Sequence, residues 1–310
     1  MTQNTKQNKI LPLTNDIVMQ MYFTRSENIE QLKQFLKAVT HLTDDELVKV
    51  EVKNPKLTKE NVKDKDFIVD VNVTTSTGDK INIEMQVKEH PGFVERMVSY
   101  NARNYAAQLK RGDDYTILKE AISIVVVNFP MFDDTDEFYE HILFRRKNEK
   151  VFTTAQQFYI IDLTKLANES SGAKEQWAAL FKARSQEDFN MLSRNSEELN
   201  AAVEKLIELS ADEEVQRLAD LRRDAEMMRS TWEAHARRQE VAAMERGHAT
   251  GHAAGHAAGH AAGREEERAL AETEKFEKAR VMLNDGLSID TVAKYSGFDI
   301  ETVTNLQKSL

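Results

Sequence analysis

The chain has 310 residues, 41% hydrophobic and 30% charged, with 42 Lys and Arg against 52 Asp and Glu and a formal net charge of −10. That length points to more than one compact unit, and the hydrophobic share excludes wholesale disorder. The absence of cysteine excludes a disulfide framework, thiolate metal sites and a cysteine nucleophile, while no apolar run is long enough to span a bilayer, so a cytoplasmic protein with no membrane partner is expected.

Residues 1–10 read as a loose polar tail. Asp16–Phe23 suits a short helix, and Ile29, Leu32, Leu36 and Val39 form the stripe of an amphipathic helix over 28–41. The period then changes to two. Val48, Val50 and Val52 alternate with Lys49, Glu51 and Lys53, and Asn54-Pro55 ends the strand. Phe67, Val69, Val71 and Val73 share one face of a second strand, and Ile81, Ile83, Met85 and Val87 one face of a third. Ser76-Thr77-Gly78 suits a hairpin loop with glycine in the left-handed conformation. That loop sets Thr75 against Asp79, Val73 against Ile81, Val71 against Ile83 and Val69 against Met85, so apolar meets apolar, and it places Asp70 opposite Glu84. A slip of one residue would turn every side chain to the wrong face.

Val94, Met97, Val98, Tyr105 and Leu109 predict a helix over 93–110, between Pro91-Gly92 and Gly112. Ala121–Val127 reads as a strand covered on both faces, with further strands at Glu140–Arg146 and Gln157–Leu163. From Ala173 onward the pattern is helical: Trp177, Leu180 and Phe181 anchor one helix, Leu199, Val203, Leu206 and Leu209 another, and 211–246 forms a long charged one. A Gly-His-Ala-Ala repeat of period four then runs from Gly247 to Gly263. It is either a flexible linker or a helix packed closely on a second chain, since glycine inside a helix costs about 1 kcal/mol relative to alanine. The last block reads as short helices capped by Ser288 and Asp299, with breaks at Gly286 and Gly297. The expected organisation is a core over 11–185, a helical extension over 186–246, the repeat over 247–263 and a small helix-turn-helix-like module over 264–310.

Like charges opposed on adjacent strands repel, and a divalent cation between Asp70 and Glu84 would remove that penalty. Such an ion can activate water and polarise a phosphodiester. Gln86 lies one side-chain step along the same face and could orient water or phosphate, with Lys88 one step further. The alternative is that Asn82, Glu84, Gln86 and Lys88 are the wet face of a half-buried hairpin. Arg96, Tyr100 and Arg103 share a helix face, and Arg145, Arg146, Lys147 and Lys150 cluster at a strand end; both could meet phosphates, or be ordinary solvated charges. His248, His252, His256 and His260 drift around a helix and do not converge on one ion. The second helix of the last module carries Lys308 as its one basic residue, which suits packing better than base reading.

The order helix–strand–strand–strand–helix–strand, with Asp70 on the second strand and Glu84-Met85-Gln86 on the third, resembles the PD-(D/E)XK nuclease core. Thr14-Asn15-Asp16, Phe67–Val71, Gly78–Gln86, Tyr105–Leu109 and Gly112–Tyr115 resemble, more narrowly, the Rpn family of recombination-promoting nucleases, or PD-(D/E)XK-type transposases, over roughly residues 11–210. The resemblance implies an α/β, restriction-endonuclease-like mixed-sheet core (αβββαβ) followed by an all-helical tail. It implies a metal-dependent DNA endonuclease linked to recombination or mobile DNA, with Asp70, Glu84 and Gln86 catalytic and Asp70 and Glu84 holding Mg²⁺, or Mn²⁺ or Ca²⁺. Gln86 stands where the wider superfamily has lysine, and Asp16 and Gln108 match supporting positions. DNA is the expected partner, with a homodimer formed through the helical tail. The rival reading is a weak or inactive nuclease fold that binds nucleic acid or serves oligomerisation.

Overall fold

The computed structural model describes residues 10–53, 71–167 and 172–310. Asp70, the residues before it back to Asn54, and the pairings of Val69 and Asp70 lie outside them.

Helices α1 (Asp16–Thr24) and α2 (Ile29–Val39) open the fold. Asn15 caps α1, its side chain accepting from Val18 N, as an N-cap asparagine should. The six-stranded sheet comprises β1 (Glu51–Lys53), β2 (Val71–Thr74), β3 (Lys80–Gln86), β4 (Ala121–Val127), β5 (Tyr139–Arg145) and β6 (Val151–Asp162), in the order β1-β2-β3-β4-β6-β5. The β2–β3 hairpin has the expected register, Val73 on Ile81 and Val71 on Ile83, closed by the Thr75 N to Asp79 O bond at 3.1 Å. Gly78 takes φ +98°, the left-handed conformation the loop requires. β4 pairs parallel with both β3 and β6, and all seven of its residues are buried. Parallel neighbours need a crossover, and α3 (Phe93–Ala106) supplies it between β3 and β4.

Alternation along the strands separates two apolar layers. Ile81, Ile83, Ile122, Ile124, Val126, Tyr159 and Ile161 face the large core built with α1, α2 and the helices α4 (Ala173–Lys182), α5 (Gln186–Leu192) and α6 (Glu197–Ser210). Val125, Val127, Phe158 and Ile160 face Phe93 and Met97 of α3.

Several expectations are corrected. β1 begins at Glu51, and Val48 is exposed in the preceding turn, because only Val50 and Val52 reach the core. β3 ends at Gln86, short of Lys88. The buried stripe of α3 is Phe93, Met97 and Asn101, with Val94 and Val98 exposed. Asn101 turns inward because its amide donates to Ala121 O at 2.9 Å, Ser123 Oγ at 3.0 Å and Gln157 O at 3.3 Å, and it accepts from Gln156 Nε2 at 3.0 Å. The core also runs past residue 185: Phe189, Leu192, Leu199, Val203, Leu206 and Val215 belong to it.

Helix α7 runs unbroken over Glu213–Asn284 and includes the whole glycine repeat, so the repeat is helical. Its first turns belong to the compact unit ending at Arg229; Leu218 packs on Ile17, and Arg222 pairs with Asp16. The unit over 230–310 contains the rest of α7 with α8 (Ile289–Ser296) and α9 (Ile300–Lys308), held by Ala279, Leu283, Val292 and Val303. Gly286 and Gly297 are left-handed at its breaks, and Asp299 caps α9.

Candidate functional site

Strand alternation points Asn82, Glu84 and Gln86 to the α3 side of the sheet, opposite Ser123, Val125 and Val127 of β4. Because β3 is an interior strand with α3 packed over it, this polar face is buried at Asn82 and Glu84 and half-buried at Gln86. Asn82 and Glu84 are each 4% exposed. The solvated-hairpin reading therefore fails at Glu84: its carboxylate is buried, which is costly unless a cation or donors compensate.

The compensation comes from α3. Gly92, with φ +75°, turns the chain directly into that helix, and the first turn brings Arg96 back over the end of β3. Arg96 Nη2 lies 2.5 Å from Glu84 Oε1 and donates to Gln86 Oε1 at 3.2 Å. Gln86 Nε2 donates to Lys88 O at 3.0 Å, so both ends of the amide are fixed. The Arg96 guanidinium sits 5.5 Å from the centre of the Phe93 ring. Burial pushes the Glu84 carboxyl above its ordinary pKa; Arg96 pulls it down by charge and hydrogen bond without cancelling that rise.

Of the expected catalytic set, the structure brings Glu84 and Gln86 together, whereas Asp70 lies outside the described residues. Among the described residues no group of three His, Asp or Glu could hold a metal ion. The oxygen donors on β3 nonetheless suit a hard cation in kind. Glu84, Gln86 Oε1 and the buried Asn82 Oδ1, which has no hydrogen-bond partner among the described residues, are all oxygens on one face of β3, and a guanidinium already sits against two of them.

The supporting positions both make tertiary contacts. Asp16 accepts from Arg222 Nε at 2.9 Å and Nη2 at 2.6 Å. Gln108 pairs with both backbone groups of Lys119 at 3.0 Å, closing the loop between α3 and β4. Arg103 stacks 5.6 Å from the Tyr100 ring on the exposed side of α3. The Arg145–Lys150 cluster occupies the β5–β6 turn, where Arg145 Nη1 donates to Glu149 O at 2.9 Å. Sequence reasoning placed Arg96 among possible phosphate contacts and missed its pairing with Glu84. The available signal was a glycine-started helix following closely on the strand that carries the carboxylate.

No helix among the described residues is long and apolar enough to cross a membrane. No curated protein and no solved structure matches the chain. A model of the PD-(D/E)XK nuclease family transposases matches residues 13–232, the span that holds the mixed sheet, the Glu84–Gln86 strand and the α3 crossover. The chain belongs to the PD-(D/E)XK nuclease family transposases.

Proposed function

We propose that this protein is a metal-dependent DNA endonuclease of the Rpn type, acting in recombination or on mobile DNA. Asp70 and Glu84 hold the divalent cation, Mg²⁺ in the first instance, with Mn²⁺ or Ca²⁺ as substitutes. When bound, that ion supplies Lewis acidity at the phosphate and lowers the pKa of water. Gln86, its amide held through Nε2 by Lys88 O, positions the attacking water or a phosphate oxygen. Hydrolysis joins the water oxygen to phosphorus and breaks one phosphorus–oxygen ester bond, the leaving oxygen taking a proton from solvent. The observation that carries this reading is Glu84 itself, a carboxylate 4% exposed on an interior strand of a nuclease-family sheet, with Gln86 one step along the same face. A purely structural role is a poor account of such a group, because an apolar residue there would avoid the desolvation penalty.

The reading is tested by nicking of supercoiled plasmid in millimolar Mg²⁺ by the full chain. Glu84→Gln and Asp70→Ala should each lose at least about a hundredfold in rate, and chelator should abolish nicking. Equal nicking by wild type and Glu84→Gln would refute it. We also propose that the helical tail pairs two chains and so brings two nicking sites to one duplex; light scattering showing a monomeric full chain would refute that part.

A further inference from the structure

Two arginine–carboxylate pairs in the chain are built differently. Arg222 grips Asp16 through two nitrogens, and its side chain is 9% exposed. Arg96 meets Glu84 through Nη2 alone and shares that nitrogen with Gln86. Its Nε is buried with no hydrogen-bond partner among the described residues, although the side chain as a whole is 35% exposed. A guanidinium carries five donors in a planar fork, so the Glu84 contact leaves much of its capacity unused. A buried donor without an acceptor is a standing cost. Arg222 has the form of a fixed clamp. Arg96 has the form of a cation seated where another can replace it.

Resting on the hydrolytic reading above, we propose that Arg96 is an exchangeable cation that regulates the site. Before a divalent ion binds, it neutralises Glu84 and occupies the carboxylate. When the ion takes Glu84, Arg96 is released and turns to a phosphate oxygen of the substrate. A phosphate can accept two parallel N–H bonds from one guanidinium, which uses the donors that Glu84 leaves idle. The Phe93 ring lies beside the guanidinium at 5.5 Å and offers a face along which it can turn while staying charged. Arg96 thereby provides, from α3, a positive charge beside Gln86, whose own side chain is neutral. The same residue suppresses metal binding in the resting protein and assists the reaction in the loaded one.

These two roles predict opposite effects from one substitution. Arg96→Gln removes the competitor for Glu84, so the full chain should bind Mn²⁺, measured by electron paramagnetic resonance, about tenfold more tightly. The same variant should nick plasmid about a hundredfold more slowly at saturating metal, through loss of a donor to the phosphate. Arg96→Lys keeps a cation beside Glu84 and should bind Mn²⁺ with an affinity close to that of the wild type. An Arg96→Gln protein that binds Mn²⁺ no more tightly than wild type overturns the exchange, as does one that nicks at the wild-type rate. Failure of the underlying reading looks different. There, wild type and Glu84→Gln would bind Mn²⁺ equally weakly, whatever stands at position 96.

Discussion

Glu84 combines two influences that pull in opposite directions. Its burial favours the neutral acid, while Arg96 favours the carboxylate, and burial is the larger of the two. A carboxyl whose folded pKa lies above its unfolded value contributes stability below the unfolded value, near 4.5, and that contribution is lost as pH rises through the folded value. At neutral pH the ionised group is therefore a burden on the metal-free protein. Glu84→Gln should melt at the same or a higher temperature than wild type in chelator at pH about 7, with the advantage shrinking toward pH about 4.5. A lower melting temperature for the variant at neutral pH would show that the Arg96 pair outweighs burial. Both Glu84 and Gln86 were legible in the sequence, because strand alternation alone assigns them to one face. The Arg96 contact was not. It crosses a six-residue loop, 87–92, and depends on the angle at which Gly92 sends the chain into α3, which periodicity does not encode.

At the level of elements, α3 is positioned as much by one polar residue as by its apolar ones. The carboxamide of Asn101 donates to the first residue of β4 and to β6 and accepts from Gln156, tying the crossover helix across two parallel strands. Asn101→Ala should cost about 2 kcal/mol in urea unfolding, because it leaves buried acceptors without their donor. It should also reduce plasmid nicking, since Arg96 rides on the same helix. A loss of stability near zero would mean that water takes over those bonds. The helix was legible in the sequence, but its inward face was not. Val94 and Val98 have the right spacing and the right chemistry for a core stripe, yet the sheet beneath presents Ser123 and backbone carbonyls that an asparagine can satisfy and a valine cannot. The β2–β3 hairpin is the converse case: its loop type and its apolar pairing agree, so its register could be read directly.

Across the whole molecule, the α/β core and the helical remainder were legible as a change of period near Ala173. The point where the compact unit ends was not, because α7 carries its helical pattern through Arg229 without a break. The glycine repeat admits two readings in sequence, since composition does not say whether neighbouring turns carry five glycines along. Among the described residues, nothing beyond the helix's own neighbouring backbone lies within 4 Å of the position a methyl would take at each repeat glycine. Changing Gly251, Gly255 and Gly259 together to alanine should therefore stabilise the segment by about 1 kcal/mol per site. Hydrogen exchange through the repeat should slow accordingly; unchanged exchange would mean that the segment is not helical in solution. The sheet itself ends at β5, whose register shifts twice, at Leu143/Phe144 and Phe144/Arg145, before the cationic turn. Ile142, Phe144 and Phe152 are exposed there, an apolar margin on which a foreign strand could add. The bulges twist that margin out of line and the arginines repel an incoming copy, so this rim acts as a guard against aggregation.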